Sequence, residues 1–190
     1  FTPHLCQEIW SSLGWNDFIL NQAWPIPDEA KTDVGVEEAE TLIKALIEDT
    51  QSVIRATKIT PKKICYYTAA PWKWKTYLKA LEKSFSEKAT PGELIRELMI
   101  DLDLKRRGAT VAKFAQGILE EINRMPEDLK RRRLQAGIIG EKDVLDGARG
   151  FFQREFNAEM TVYSEEDSER YDPRNRGPLA KPYRPAIFIE

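Results

Sequence analysis

Apolar residues recur at helical spacing through most of the chain. Leu5, Ile9, Trp10 and Leu13 share one face of a helix, with Thr2 placed to cap it and Pro3 in its first position. Gly14 is placed to stop it. Residues 15–31 contain Pro25 and Pro27 and read as irregular. Val36, Ala39, Leu42, Ile43, Leu46, Ile47, Val53 and Ile54 then predict a long amphipathic helix from about Val36 to Thr57, which Pro61 prevents from continuing.

The period changes at Ile64-Cys65-Tyr66-Tyr67-Thr68, a short run of β-formers that predicts a strand. Pro71 opens a helix carrying Trp72, Tyr77, Leu78, Leu81 and Phe85. Thr90 and Glu93 make a capping box ahead of Leu94, Leu98 and Leu102. Thr110 is expected to cap a helix carrying Val111, Phe114, Ala115, Ile118 and Ile122, which Met125-Pro126 breaks. Glu127 to Ala136 reads as a short basic helix, interrupted by Gly137 and Gly140. A last helix is expected from Glu141 to Phe156. Glu159 to Ser164 alternates like a strand, 164–176 reads as a loop, and Tyr183 to Ile189 as a closing strand-like segment. Pro182 and Pro185 lack ladder donors and confine that segment to a sheet edge. The pattern is α+β: mainly helical, with several helices on a small sheet. A boundary is expected near Lys58, giving 1–57 and 58–190.

Composition narrows the class. The 190 residues are 42% apolar and 32% charged, with 19 aromatic rings' worth of Trp, Tyr and Phe among them (5, 6 and 8). That is enough large apolar material for a core and excludes a disordered chain. No run approaches the roughly 18 apolar residues of a membrane span, so no membrane partner is expected. The absence of an initial Met and of a basic-then-apolar leader suggests a piece of a longer, cytoplasmic protein. The net charge of −2 hides an uneven distribution. Residues 1–57 hold 3 Lys/Arg against 10 Asp/Glu, 58–134 hold 18 against 10, and 135–190 hold 8 against 11. A basic middle matters more than the total, because fields act within about a Debye length of 8–10 Å.

No glycine-rich phosphate loop, GxSxG or HExxH motif is present, so no catalytic residue is assigned. Cys6 and Cys65 are too sparse for a disulfide framework or a metal site, and the lone His4 has no partner at catalytic spacing. No metal ligand is assigned. Acidic pairs such as Glu120-Glu121 fit solvated helix faces.

The basic clusters carry more. Lys105-Arg106-Arg107 and Lys130-Arg131-Arg132-Arg133 are candidate phosphate contacts, since Lys and Arg donors spread along a surface suit a polyanion. Consecutive helical residues point about 100° apart, so not all of Lys130–Arg133 can reach one ligand. Solvation, or stabilisation of a helix end, is the competing explanation. Trp72-Lys73-Trp74-Lys75 has the interleaving that suits base stacking, although Trp72 falls on an apolar face. The tail, Lys181 to Glu190, ends on an apolar run where termini are normally polar and frayed. It is therefore expected to form a sheet strand or a binding surface, with Lys181, Arg184, Ile187, Phe188, Ile189 and Glu190 as candidates.

Phe1-Thr2-Pro3-His4-Leu5-Cys6-Gln7-Glu8-Ile9-Trp10 resembles the PFTPHxxEExW helix of class I aminoacyl-tRNA synthetases for large aliphatic amino acids, with Gln7 where the family often has Glu. Ile64 to Lys75, Asp143 to Phe156 and Ala180 to Glu190 look like the C-terminal extension of archaeal/eukaryotic-type leucyl-tRNA synthetases. The resemblance implies that 1–57 ends a helical anticodon-binding-type bundle and that 58–190 is a C-terminal tRNA-binding domain reaching the elbow and long variable arm of leucine tRNA. It implies ATP and magnesium for the full ligase and no cofactor in this portion, since the HIGH and KMSKS signatures are absent. Leucine tRNA and the rest of the synthetase chain are then the expected partners, not DNA. The alternative is a protein-interaction module that docks the synthetase body or assembly partners.

Overall fold

A computed structural model describes residues 2–28, 31–85 and 90–190. Two compact units are present, Phe1–Asp33 and Val34–Glu190. In the first, helix α1 (Pro3–Ser12) runs into Gly14, whose φ of +94° turns the chain. Trp15 then folds back so that its ring stacks on Trp10 with centroids 4.0 Å apart, and the Trp10 indole donates to Asp17 at 2.9 Å. Thr2 makes no side-chain cap; its hydroxyl lies 3.6 Å from the Cys6 sulfur. Phe1 of the resemblance motif lies outside the described residues. Leu5, Ile9, Leu13, Phe18 and Leu20 are all exposed.

The second unit begins with α2 (Val34–Thr57) and β1 (Lys63–Thr68). Helices α3 (Pro71–Ser84), α4 (Pro91–Leu98), α5 (Leu102–Arg106), α6 (Gly108–Asn123), α7 (Glu127–Ala136), α8 (Glu141–Gly147) and α9 (Arg149–Phe156) follow. Strands β2 (Glu159–Ser164) and β3 (Ala186–Ile189) close the chain. The sheet order is β2-β1-β3, with β2 parallel and β3 antiparallel to β1. A parallel pair needs a long crossover, here the whole of α3 to α9. The fold is α+β and mainly helical, and β3 occupies a sheet edge, with Pro182 and Pro185 in the segment before the strand.

Register explains the two sheet faces. Ile64 pairs with Met160 and Ile189, and Tyr66 with Val162 and Ile187, so one face is apolar throughout. Leu46 of α2, Leu145 of α8 and Phe152 of α9 cover it, and Thr50 Oγ1 and the Tyr66 hydroxyl, 2.8 Å apart, satisfy each other inside it. Cys65 and Tyr67 face the other way, beneath Ala180. A second core unites α3, α4, α5 and α6 around Tyr77, Leu81, Leu94, Leu104, Val111, Ile118 and Ile122. Trp72 and Trp74 are both buried in it, so the Trp-Lys-Trp-Lys run packs and offers no ring for base stacking.

Because α2 covers the sheet, the packing boundary lies between Asp33 and Val34, and the reversal of charge near Lys58 does not mark it. Three further boundaries differ from the periodicity. The helix expected through Leu102 breaks at Met99–Asp101, because Asp101 accepts from the N–H groups of Asp103 (2.9 Å) and Leu104 (3.4 Å) and starts α5 afresh. Helix α6 begins at Gly108, which puts Thr110 inside its first turn. The last helix divides at Gly147–Arg149 into α8 and α9. The capping box at Thr90 and Glu93 is present.

Candidate nucleic-acid interface

The four bases of α7 diverge, as helical geometry demands. Arg131 projects furthest into solvent, 71% exposed, 3.8 Å from Glu127 and 5.3 Å over the Phe85 ring, and Arg132 is exposed as well. Lys130 is buried. Arg132 donates from Nε to Glu38 of α2, whose side chain is 0% exposed. Arg133 places Nε 3.5 Å from the other Glu38 oxygen, close enough for an ion pair but not aligned as a hydrogen bond. Its Nη1 donates to the Tyr77 hydroxyl at 3.0 Å, and its guanidinium lies 4.2 Å over the Tyr183 ring. A buried carboxylate must be compensated, and these two arginines compensate it. Arg132 and Arg133, expected on an RNA surface, are thus used to fasten α7 to α2 and, through Arg133, to the tail, while Lys130 is buried.

On α5, Lys105 and Arg106 are exposed, whereas Arg107 pairs with Glu166 at 2.7 Å. Arg106 and Arg107 line a cleft with Pro71, Trp72 and Lys75 at the start of α3. Arg131 lines a different one with Phe85, Leu134 and Gln135. The cations of α5 and α7 therefore do not share a groove.

The tail is tied down. Lys181 bonds Glu121 of α6 and forms a bridge with Arg184, its N–H donating to the Arg184 carbonyl at 3.1 Å. Tyr183 sits at the apex with φ +62°, buried, while its N–H donates to Glu141 Oε1 at 2.7 Å. Ala69 N–H donates to the other oxygen of Glu141 at 3.2 Å. Burial nevertheless pushes the Glu141 carboxyl up to about 7, outweighing the two hydrogen bonds that favour its ionised form. Beyond the turn, Ile189 is buried in the sheet core, and Ile187 and Phe188 are half-buried. Ile189 is thus mainly a core side chain. Glu190 is exposed, its carboxylate accepting from the Tyr171 hydroxyl at 2.9 Å.

Arg184 leads to the arrangement the sequence reading missed. Two adjoining clefts run between the β3 edge and the C-terminal half of α2, sharing Val53, Arg176 and Ile187. The larger, of about 620 Å³, also holds Lys181, Arg184, Leu179, Ala56 and Asp49; the smaller adds Arg174, Phe188 and Ile189. The loop that brings Arg174 and Arg176 here is organised by Asp172. Its carboxylate accepts from the N–H groups of Arg176 (2.7 Å) and Gly177 (2.8 Å). Although burial alone would raise it, those bonds and Arg170 hold the Asp172 carboxyl below its usual range. Arg174, Arg176 and Arg184 are exposed, and among the described residues none has a carboxylate within ion-pair distance. No periodicity marks this loop. The available signal was Asp172-Pro173 followed by Asn-x-Gly spacing, which builds turns.

The comparisons decide the family. The chain is 39% identical over 192 residues to the leucine–tRNA ligase of Methanococcoides burtonii, a match that covers all of this chain and 20% of that protein. Leucine–tRNA ligases of Methanosarcina barkeri and Pyrococcus abyssi are similar, at 38% over 190 and 36% over 191 residues, covering all of this chain and 20% and 18% of theirs. The chain corresponds to a segment of the archaeal leucine–tRNA ligase family. The chain spans about a fifth of the length of the curated relatives it matches. Its residues 1–66 also match the family model described as the anticodon-binding domain of tRNA ligase. That match begins in the first structural unit and ends inside β1, so it crosses the packing boundary at Asp33. Among the described residues of the segment, no group of three His, Cys, Asp or Glu is arranged to hold a metal ion, and no helix is long and apolar enough to cross a membrane.

Proposed function

We propose that this chain is a tRNA-recognition region of a leucine–tRNA ligase and that its second unit engages the elbow and long variable arm of leucine tRNA. The observation that carries the reading is the groove along β3: exposed arginines without carboxylate partners, on a chain homologous throughout to leucine–tRNA ligases. Phosphates need such donors, and an RNA arm offers exposed nucleotides at its tip. Of the cations first singled out, Lys105, Arg106, Arg107, Arg131, Arg132 and Arg184 are exposed, Arg107, Arg131 and Arg132 with carboxylate partners of their own, and Glu190 offers an acceptor at the β3 edge. The parent enzyme would join leucine to tRNA in the cytoplasm with ATP and magnesium.

Truncating Ile187–Glu190 is a poor test, because it removes strand β3 and the buried Ile189. Arg184→Ala together with Glu190→Gln in the full-length enzyme keeps the strand. Leucylation should fall about tenfold on the natural tRNA and change little on a tRNA whose long arm is shortened, as each lost phosphate or base contact weakens binding by about 1–3 kcal/mol. Equal losses on both tRNAs would remove the long arm from the reading. The second reading, docking of the synthetase body, is favoured at the other unit by exposed Leu5, Ile9, Leu13, Phe18 and Leu20. Such a row calls for a protein cover and not an RNA.

A further inference from the structure

We propose that Tyr183 is a positioning residue: held by its ring in an unfavourable turn, it sets the direction in which the chain enters β3 and so aims Arg184. The proposal rests on the tRNA-binding reading and deepens it, by naming a buried residue that touches no RNA and yet decides how the tail meets it.

The turn itself is the first ground. Lys181 and Arg184 bond each other in both directions, N–H to carbonyl at 3.1 and 2.8 Å, so Pro182 and Tyr183 form a two-residue hairpin loop. Proline fixes φ at about −65° in the first loop position. Tyr183 has φ +62° in the second, which makes the turn type II. That second position favours glycine, and a type II turn splays the strands of so tight a hairpin. The tyrosine thus adopts a conformation that its own backbone disfavours. Such strain persists only where the surroundings impose it, and it gathers at functional places.

The surroundings are the second. The Tyr183 ring lies 4.2 Å beneath the Arg133 guanidinium of α7 and packs on Trp74 and Tyr77 of α3, with ring centroids 5.2 and 5.8 Å away. Its N–H donates to the buried Glu141 of α8 at 2.7 Å. Lys73 of α3 holds the approach to the turn, donating to the carbonyls of Pro178 (2.8 Å) and Ala180 (2.7 Å). Three helices converge on one residue. The hydroxyl takes no part, being buried with no hydrogen-bond partner among the described residues. Ring and backbone N–H therefore carry the role.

What the turn aims is the third. Arg184 follows Tyr183 directly and is exposed, and Pro185 confines it to extended backbone. No soft joint therefore lies between the turn and β3. The strand pairs with β1 only from Ala186 to Ile189, so its entry is held on one side by the sheet and on the other by Tyr183. Arg184 sits between these two anchors and takes its direction from both. Preorganisation of this kind lowers the ordering cost of binding.

The test uses the full-length synthetase and its leucine tRNA. Tyr183→Gly accepts the positive φ but removes the ring. It should raise the KM for tRNA about fivefold, the order of one misplaced phosphate or base contact, and leave kcat and tRNA-independent leucine activation unchanged. Tyr183→Phe keeps the ring and drops only the unpartnered hydroxyl, so it should retain the parent KM. If Tyr183→Gly does not fold, Glu141→Gln carries the test. It keeps the volume but turns an amide N–H group towards one of the two backbone donors, and should raise the same KM about twofold to threefold. A parent-like KM in Tyr183→Gly and Glu141→Gln, with only the melting temperature lowered, overturns the positioning role. The tRNA reading then stands if Arg184→Ala with Glu190→Gln still weakens leucylation. No change in any of these variants overturns the tRNA reading and the positioning role with it. A KM raised as much by Tyr183→Phe as by Tyr183→Gly overturns the assignment to the ring.

Discussion

Two basic regions of this molecule have nearly the same composition and opposite uses. Helix α7 presents Lys130 to Arg133 in a row, and the structure pairs two of the four, Arg132 and Arg133, with its own Glu38. The β3 groove gathers Arg174, Arg176 and Arg184 from segments with no basic run at all and leaves them uncompensated. The difference lies in what faces them. Glu38, fully buried, is the counter-charge that turns the α7 arginines into a clamp, and no described carboxylate plays that part for the groove arginines. A basic run is thus a weaker indicator of polyanion binding than a basic set whose acidic partners are missing.

The sharpest way to break this comparison is to remove the counter-charge. Glu38→Ala leaves Arg133, only 17% exposed, without its carboxylate, and loses the anchor between α2 and α7. Breaking a buried pair from one side costs about 3–5 kcal/mol. The melting temperature of this chain should drop by roughly 10 °C, at about 2–4 °C per kcal/mol for a chain of this size. A drop below about 2 °C would show that the clamp contributes little, and α7 would return to the list of RNA candidates.

A somewhat smaller effect sits where clamp and groove meet. Tyr183 lies beneath Arg133, and its backbone N–H is held by Glu141 just before β3 begins. With the Glu141 carboxyl at about 7 in the folded chain against an ordinary 4.5, the native state holds the proton more tightly than the unfolded one. This contribution is therefore fully present below pH 4.5 and lost as pH rises through 7, amounting to about 3 kcal/mol at roughly 1.4 kcal/mol per unit. Glu141→Gln should erase it. The measurement is the stability difference between variant and parent by urea unfolding at pH 4.5 and 7.5. It should shift by about 3 kcal/mol in the variant's favour at the higher pH. A difference that stays constant would mean that the N–H groups of Ala69 and Tyr183 cancel the cost of burial.

How far the sequence announces these regions depends on the range of the interaction involved. Local signals were legible: the capping box at Thr90, the break at Met125-Pro126 and the alternation of Glu159–Ser164 all correspond to elements with those limits. The tail strand does lie at an edge, but both prolines on which that expectation rested fall before it. Competing local signals were harder. Asp101 ends one helix and caps the next within an unbroken apolar period, and only its side-chain hydrogen bonds decide that it does. Long-range pairing left no trace. Glu38 reads as a solvated glutamate on an amphipathic helix until α7, 94 residues later, lays two arginines on it. Arg174 and Arg176 read as loop charges until Asp172 and Lys73 fix that loop against α2 and β3.

The finest distinction concerns Arg131, the most exposed of the α7 bases and one that the clamp leaves out. Its guanidinium lies 5.3 Å over Phe85 and 3.8 Å from Glu127, both interactions at a surface where the arginine is 71% exposed. Exposed cation–π and helix ion pairs contribute about 0.5 kcal/mol each at most, so Arg131→Ala should move stability by less than about 1 kcal/mol. It separates the two uses of basic charge cleanly, because nothing structural hides its RNA readout. If α7 only fastens the fold, the salt slope of tRNA binding by the full-length enzyme stays as in the parent. A slope reduced by about 0.7–0.9, the share of one phosphate, would mean that the outer face of α7 touches RNA even though its inner face does not.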